Sequence, residues 1–153
     1  LIPLHLHELI ESAIDNHQLQ LKEKNGNVAL HLEAIPDVIM ADEIHFSNLI
    51  SNLIDNAIKY AATEPIITIS TYIKGSSIFV SVADNGIGMT DETVKRIFEK
   101  FYRAHTGNLH NVKGFGLGMS YVKTVIDAHK GSIGVTSKLG EGSVFTVQMD
   151  LAK

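Results

Sequence analysis

The sequence predicts an α+β fold, a two-layer α/β sandwich in which a mixed, mostly antiparallel sheet carries helices on one face. Two observations lead there. Residues 67–83 and 131–150 each read as two strands of alternating polarity joined by a short glycine-containing turn, which argues against a doubly wound parallel sheet. Around them, apolar residues recur at helical spacing near 7–24, 42–61 and 117–128. A chain of 153 residues is the usual size of one domain with a real core, so residues 1–153 are read as a single domain. Apolar content of 44% and charged content of 20% are ordinary for a globular chain. A net charge of −4 argues against a general nucleic-acid binder. There is no cysteine, hence no disulfide framework and no thiol chemistry, which fits the cytosol. No run is long and apolar enough to span a membrane, and no signal peptide is visible. The chain opens on Leu1-Ile2-Pro3 without Met, so it is expected to be part of something longer.

In order, Leu4-His5-Leu6 reads as a short strand. His7 to about Lys24 reads as a helix burying Leu9, Ile10, Ala13, Ile14 and Leu21. Asn25-Gly26-Asn27 is a turn signal, and Val28 to Ile35 alternates as a strand. Pro36-Asp37 interrupts, Val38 to Met40 is a second short strand, and Asp42 suits an N-cap. The helix that follows has Phe46, Leu49, Ile50, Leu53, Ala57, Ile58 and Ala61 on one face. After Pro65 come Ile67–Ile73 and Ile78–Ala83, a hairpin across Lys74-Gly75-Ser76-Ser77. Asp84 to Gly88 is a loop, and Asp91 to Lys100 a helix capped by Thr90. Arg103 to Phe115 is polar and glycine-containing, and Leu117 to Ala128 is a helix. Gly131–Ser137 and Ser143–Asp150 are the last strands, joined across Lys138 to Gly142.

Three stretches carry chemistry. On the central helix, Asn48, Asn52, Asn56 and Lys59 follow one another at steps of four, four and three, one continuous stripe. Carboxamide oxygens are neutral ligands for a hard cation such as Mg²⁺, and a Lys one turn on can meet a phosphate as a point charge. Alone, the stripe reads as a solvated helix face, since Asn and Lys are ordinary surface residues. Asp84-Asn85-Gly86-Ile87-Gly88 follows a strand end; Asp84 is an acceptor suited to the exocyclic amine of adenine, against the plain alternative of a turn. Gly114-Phe115-Gly116-Leu117-Gly118 leads straight into a helix, where backbone N–H groups and the helix dipole favour an anion such as a triphosphate. It fits neither the Rossmann pattern nor a P-loop, and a tightly packed helix entry is its plain alternative.

The order of the blocks is more specific than any one of them. Asn52 to Tyr60, Asp84-Asn85-Gly86-Ile87-Gly88-Met89, Ile97 to Arg103, Gly114 to Met119 and Gly142-Ser143 with their neighbours follow in sequence. This resembles the catalytic ATP-binding domain of sensor histidine kinases, in the GHKL group of ATPases and kinases. The blocks resemble that family's N, G1, F, G2 and G3 boxes, and the likeness runs from about Leu4 to the C-terminus. The resemblance implies the Bergerat ATP-binding fold, with ATP and Mg²⁺ as cofactors. It implies Asn56 as Mg²⁺ ligand, Asn52 beside metal and phosphates, Lys59 on phosphate and Tyr60 beside the purine. It implies Asp84 as the adenine-reading carboxylate in a pocket shaped by Gly86, Gly88 and Met89. Phe98 and Phe101 would anchor an ATP lid of about residues 89–113, with Arg103 reaching phosphate. Gly114, Gly116 and Gly118, with Phe115 and Leu117 between them, would form the lid hinge and phosphate cradle. Met119 stands where Leu is commoner, and Ser143, also assigned to the nucleotide site, where Thr is common.

The resemblance favours a kinase over an ATPase. ATPase members such as gyrase and the heat-shock chaperones carry a Glu one turn before the metal Asn, as general base for water. Here that position is Asn52, which takes no proton, and Asp55 is rotated roughly 100° from Asn56 around the helix. Catalysis then rests on Asn52, Asn56, Lys59 and Arg103 positioning and neutralising the phosphates. The implied partner is a phosphoacceptor hairpin domain of the full-length homodimer, with a response regulator reached indirectly. That hairpin and the sensor domains are absent from this chain. No nucleic acid and no membrane contact by this domain are expected; the domain would be cytoplasmic, its parent anchored in the membrane. His7-Glu8-Leu9 looks like the start of a phosphoacceptor motif, but Ile10-Glu11-Ser12 departs from it, and His7 reads as a helix-start surface residue. His105 and His110 fall in the lid. Two other readings stay open: a serine kinase of the anti-sigma type, and a degenerate domain that binds nucleotide or partners without catalysis.

Overall fold

The computed structural model describes residues 1–100, 102 and 118–153. Its elements are β1 (Ile2–His5), α1 (Leu6–Asn16), α2 (Gln18–Glu23), β2 (Asn27–Leu32), β3 (Val38–Ala41) and α3 (Glu43–Lys59). There follow β4 (Ile66–Lys74), β5 (Ser77–Asp84), α4 (Asp91–Arg96), α5 (Gly118–Ala128), β6 (Ser132–Lys138) and β7 (Gly142–Asp150). A five-stranded sheet has the order β2-β4-β5-β7-β6. β2 and β4 run parallel, and the other pairs are antiparallel. The expected mixed, mostly antiparallel sheet is there, and both hairpins form with their turns where the glycines are. The expectation of one sheet needs a correction: β1 and β3 form a separate antiparallel pair. Each of those strands runs directly into a helix, α1 or α3, so pairing them fixes two helix starts at once.

Period-two burial makes one face of the main sheet the core. Ile67 and Ile69 on β4, Ile78, Val80 and Val82 on β5, and Phe145, Val147 and Met149 on β7 are buried. α3 lies at the centre of the covering layer, flanked by α1 and α5. Its buried face is Phe46, Leu49, Ile50, Leu53, Ile54, Ala57 and Ile58, so Ile54 widens the stripe expected from the sequence. Asp42 caps it as expected, Oδ1 accepting from the His45 N–H at 2.9 Å. On the opposite face of the sheet, Tyr72 and Phe79 sit directly across β4 and β5 and stack with ring centroids 5.0 Å apart.

Two helices differ from expectation for local reasons. The segment 7–24 is broken at His17 (φ −105, ψ 6). The buried His17 ring donates from Nδ1 to the Ala13 carbonyl at 2.7 Å, taking the acceptor that the next helical N–H would use. The His17 N–H turns to Ile14 O instead, a tighter turn, and α2 starts afresh at Gln18. α4 ends at Arg96 rather than Lys100. Beyond it, Arg96 pairs with Glu99 at 3.1 Å and lies 4.5 Å over the Tyr102 ring, which favours successive turns over a continued helix.

His7 is not simply a surface residue. Its N–H donates to Asp37 Oδ2 at 3.0 Å, and its Nε2 lies 2.7 Å from Thr71 Oγ1. His5 Nδ1 meets Asp37 Oδ1 at 2.8 Å. One carboxylate therefore holds the end of β1 and the first turn of α1 against the loop before β3. The hydrogen bond and the negative charge of Asp37 raise the His5 pKa above its ordinary 6.5. Burial pushes Asp37 up, but His5 and the His7 N–H outweigh it and hold Asp37 below its ordinary 3.8. The His5 contribution is complete below 6.5 and is lost as pH rises through its raised value. The Asp37 contribution is complete above 3.8 and is lost as pH falls through its lowered value. Both are present between those limits. Asp37→Asn should therefore lower the melting temperature most near about pH 5 and least above about pH 8. An equal loss at both pH values, measured by thermal denaturation, would contradict the clamp.

Candidate functional site

The polar stripe of α3 is half-buried only in its middle, with Asn48 and Lys59 exposed at its ends. Asn52 and Asn56 are partly covered, and among the described residues neither carboxamide takes part in a hydrogen bond. Side-chain amides held at that depth without partners are available to a ligand. Gly118, the first residue of α5, comes close: a Cβ there would lie 3.8 Å from Asn52 Oδ1. α3 and the N-terminus of α5 thus meet at the position expected to hold metal and phosphate. Lys59 behaves differently from expectation. Its Nζ pairs with Asp55 Oδ2 at 2.8 Å, one turn back on the helix. Asp55 does point away from Asn56, yet the i,i+4 spacing puts it within reach of Lys59. An exposed pair of this kind stabilises by only about 0.3–0.5 kcal/mol, so the ammonium is easily drawn to a stronger anion.

Asp84 ends β5 across from Ser143, the second residue of β7. Its Oδ1 accepts from the Gly86 N–H at 2.8 Å and from the Ser143 N–H at 3.2 Å. Oδ2 accepts no bond from any described residue and is left for a donor from outside. Burial raises the Asp84 pKa, and the two N–H bonds to the charged form oppose that shift. The loop after Asp84 is tied on three sides. Ile87 N–H donates to the Tyr60 carbonyl at the end of α3 at 3.0 Å. Gly140 N–H donates to the Ile87 carbonyl at 2.8 Å. Asn85 accepts from the Ile66 N–H and donates to the Glu64 carbonyl, at 2.9 and 3.0 Å.

Two glycines allow the loops to touch. Gly88 has φ +72, and a Cβ there would overlap the Lys138 carbonyl. Gly142 has φ +105, and a Cβ there would overlap the Asp84 carbonyl. Met89 continues the loop, its N–H donating to Ser137 Oγ at 2.8 Å. Thr90 caps α4 as expected, and Phe98 meets Phe145 edge-on with centroids 6.4 Å apart, so the segment after α4 rests on the core.

The described site residues therefore converge: Asn52, Asn56, Lys59 and Tyr60 from α3, Asp84, Gly86, Gly88 and Met89 from the loop after β5, Ser143 from β7, and Gly118 from α5. Phe101, Arg103, Gly114, Phe115, Gly116 and Leu117, with His105 and His110, lie outside the described residues. Sequence reasoning missed Asn85 and Ser137. Neither residue type announces a role; only the strand register brings Ser137 to the loop. It also missed the Asp55–Lys59 pair, which the spacing of the two residues contained. Among the described residues there is no cluster of three or more His, Asp, Glu or Cys side chains suited to a metal. The available donor set is neutral amide oxygen. This suits Mg²⁺, which keeps several waters and takes its negative ligands from substrate phosphates.

Comparison with known proteins places the chain among relatives of known family and fold. A family model described as histidine kinase-, DNA gyrase B-, and HSP90-like ATPase matches residues 41–153. The chain is 45% identical over 152 residues, 98% of its length, to the sensor protein RprX of Bacteroides fragilis, and spans 29% of that relative. Its fold matches the catalytic domain of the histidine kinase ThkA with a TM-score of 0.83 at 24% identity, over 97% of this chain and 93% of that one. It also matches full-length ShkA in complex with AMPPNP, with a TM-score of 0.82 at 27% identity, over 99% of this chain and 32% of that one.

The contact of Gly142 with Asp84 leaves no room for a side chain where β7 meets the end of β5. Gly142→Ala combines a positive φ with a steric overlap, so it should cost at least about 1 kcal/mol of stability. Urea denaturation checks this, and a variant as stable as the parent would show that the loop has slack.

Proposed function

The chain belongs to the histidine kinase-, DNA gyrase B-, and HSP90-like ATPase family, and we propose that it is the catalytic ATP-binding domain of a sensor histidine kinase. It binds Mg²⁺-ATP and donates the γ-phosphoryl group to a histidine on a separate hairpin domain of the full-length homodimer. The observation that carries this reading is the Asp84 carboxylate. One oxygen is fixed by two backbone N–H groups and the other has no partner among the described residues, an acceptor prepared for the adenine amine. The AMPPNP in the ShkA complex supports a nucleotide as ligand.

On this reading Asn56 ligates Mg²⁺ through its carboxamide, with Asn52 beside it. The bound ion supplies charge neutralisation along the phosphates. Lys59 leaves Asp55 for phosphate, and Tyr60 lies beside the purine. Arg103 and the glycines of 114–118 are assigned to the phosphates by resemblance, and residues 89–113 to the lid. Asn52 is no general base, so water is not activated and the phosphoryl group waits for an imidazole. Because the chain spans 29% of RprX, the acceptor hairpin and any sensor segment are assigned to the rest of the protein, with the response regulator a separate partner reached indirectly. Among the described residues no helix is long and apolar enough to cross a membrane.

Two experiments test the proposal. Asp84→Asn should weaken ATP binding by about 1–3 kcal/mol, the value of a hydrogen bond to a charged group. It should also blunt the preference for ATP over GTP, since an amide can turn a donor toward the purine. Calorimetry giving equal ATP affinity in both proteins would remove Asp84 from the adenine role. In the second, labelled ATP is supplied with and without the acceptor hairpin of the parent protein. Label should appear only on the hairpin, as an acid-labile, base-stable phosphate. Acid-stable label on Ser or Thr of this chain alone would favour the serine-kinase reading instead.

A further inference from the structure

Ser137, on β6, is the one hydroxyl that touches both sides of the proposed adenine pocket among the described residues. A serine hydroxyl has one proton to give and two lone pairs to receive. Here all three are assigned. Ser137 Oγ lies 2.9 Å from the Gly142 carbonyl, which only accepts, so the Ser137 proton goes there. The Met89 N–H, 2.8 Å away, only donates, so it takes one lone pair. Ser143 Oγ is 2.7 Å away, and with the Ser137 proton already used, Ser143 must be the donor. Each side of this junction matters to the pocket. Ser143 is buried, and its N–H holds Asp84 Oδ1. Gly142 presses on the Asp84 carbonyl, and Met89 follows Gly88, which presses on Lys138.

We propose that Ser137 is a positioning residue for nucleotide binding: its saturated hydroxyl fixes Met89 on one wall of the pocket to the Gly142-Ser143 segment that holds Asp84 on the other. This rests on the ATP-site reading above. No bond joins Ser137 to Asp84 directly; its influence runs through the β7 segment. Removing the hydroxyl leaves the Met89 N–H, the Gly142 carbonyl and the Ser143 hydroxyl all short of a partner. Such a network loosens as a unit rather than one bond at a time. Threonine retains the same three hydrogen-bonding capacities and should largely substitute.

The test is a double-mutant cycle on nucleotide affinity, read by calorimetry with Mg²⁺-ATP on the folded proteins, with melting temperature followed in parallel. Ser137→Ala should weaken ATP binding about tenfold, and Ser137→Thr should return it to within about twofold of the parent. In an Asp84→Asn background the same Ser137→Ala change should cost less than about twofold, because the carboxylate it helps to aim is gone. A purely structural role would lower the melting temperature without that coupling. If the parent binds ATP and Ser137→Ala binds equally well, the inference is overturned while the ATP site stands. It is overturned in the same way if the loss is equal in both Asp84 backgrounds, or if threonine restores nothing. A parent protein that takes up no ATP overturns the site and this inference together.

Discussion

Much of the site depends on one contact, the backbone of β7 delivered against the end of β5. The pairing of Asp84 with Ser143 places the Ser143 N–H on the Asp84 carboxylate at 3.2 Å. That placement requires the chain to enter β7 through a residue with almost no bulk and a positive φ, which is Gly142. It also requires the loop after β5 to fold back past the β6–β7 turn, which Gly88 permits and the bond from Gly140 to Ile87 secures. Burial raises the Asp84 pKa, and the Gly86 and Ser143 N–H donors oppose that shift by stabilising the charged form. The geometry of two antiparallel strands thus becomes a fixed acceptor at the sheet's end.

α3 joins that acceptor to the rest of the site. Its apolar face is consumed by the sheet, α1 and α5. The helix therefore cannot rotate without exposing Leu49, Leu53 or Ala57 to water, and the orientation of Asn52 and Asn56 follows from that burial. α5 begins beside Asn52, and α3 ends where Tyr60 accepts from Ile87. One helix in this way sets the separation between the carboxamides and Asp84. Core packing does the measuring, and the polar groups supply the chemistry.

How much of this was legible in the sequence divides by range. The hairpins, the amphipathic face of α3 and the caps at Asp42 and Thr90 were legible, since each depends on residues close together in the chain. The break at His17 was not, because it needs a ring competing for one carbonyl that helical periodicity does not record. The second sheet was missed because strands of four residues carry too little alternation to reveal their partner. At the site, the asparagine stripe and the glycines stood out because they are odd at those positions. Ser137 did not, because serine on a strand edge is ordinary until the register sets it beside Met89. His7 was misplaced for the same reason: its partners, Asp37 and Thr71, come from distant parts of the chain.

The charges in the site bear on what kind of chemistry it favours. Asp84 supports one end, and Lys59, a cation assigned to the phosphates on the proposed reading, rests on Asp55. Between them lie amides, which orient a ligand and neutralise nothing by themselves. Among the described residues of the asparagine stripe an attacking water would meet no unpaired carboxylate, since Asp55 already pairs with Lys59 and Asn52 takes no proton. A nucleophile that is reactive in its neutral form needs no such base. Imidazole is such a nucleophile, with one ring nitrogen carrying a lone pair at neutral pH. A binding site that positions a triphosphate without activating water holds it for a partner that brings its own lone pair. On the proposed reading, Asn52 in place of a carboxylate general base favours a phosphoryl donor over a hydrolase on this fold.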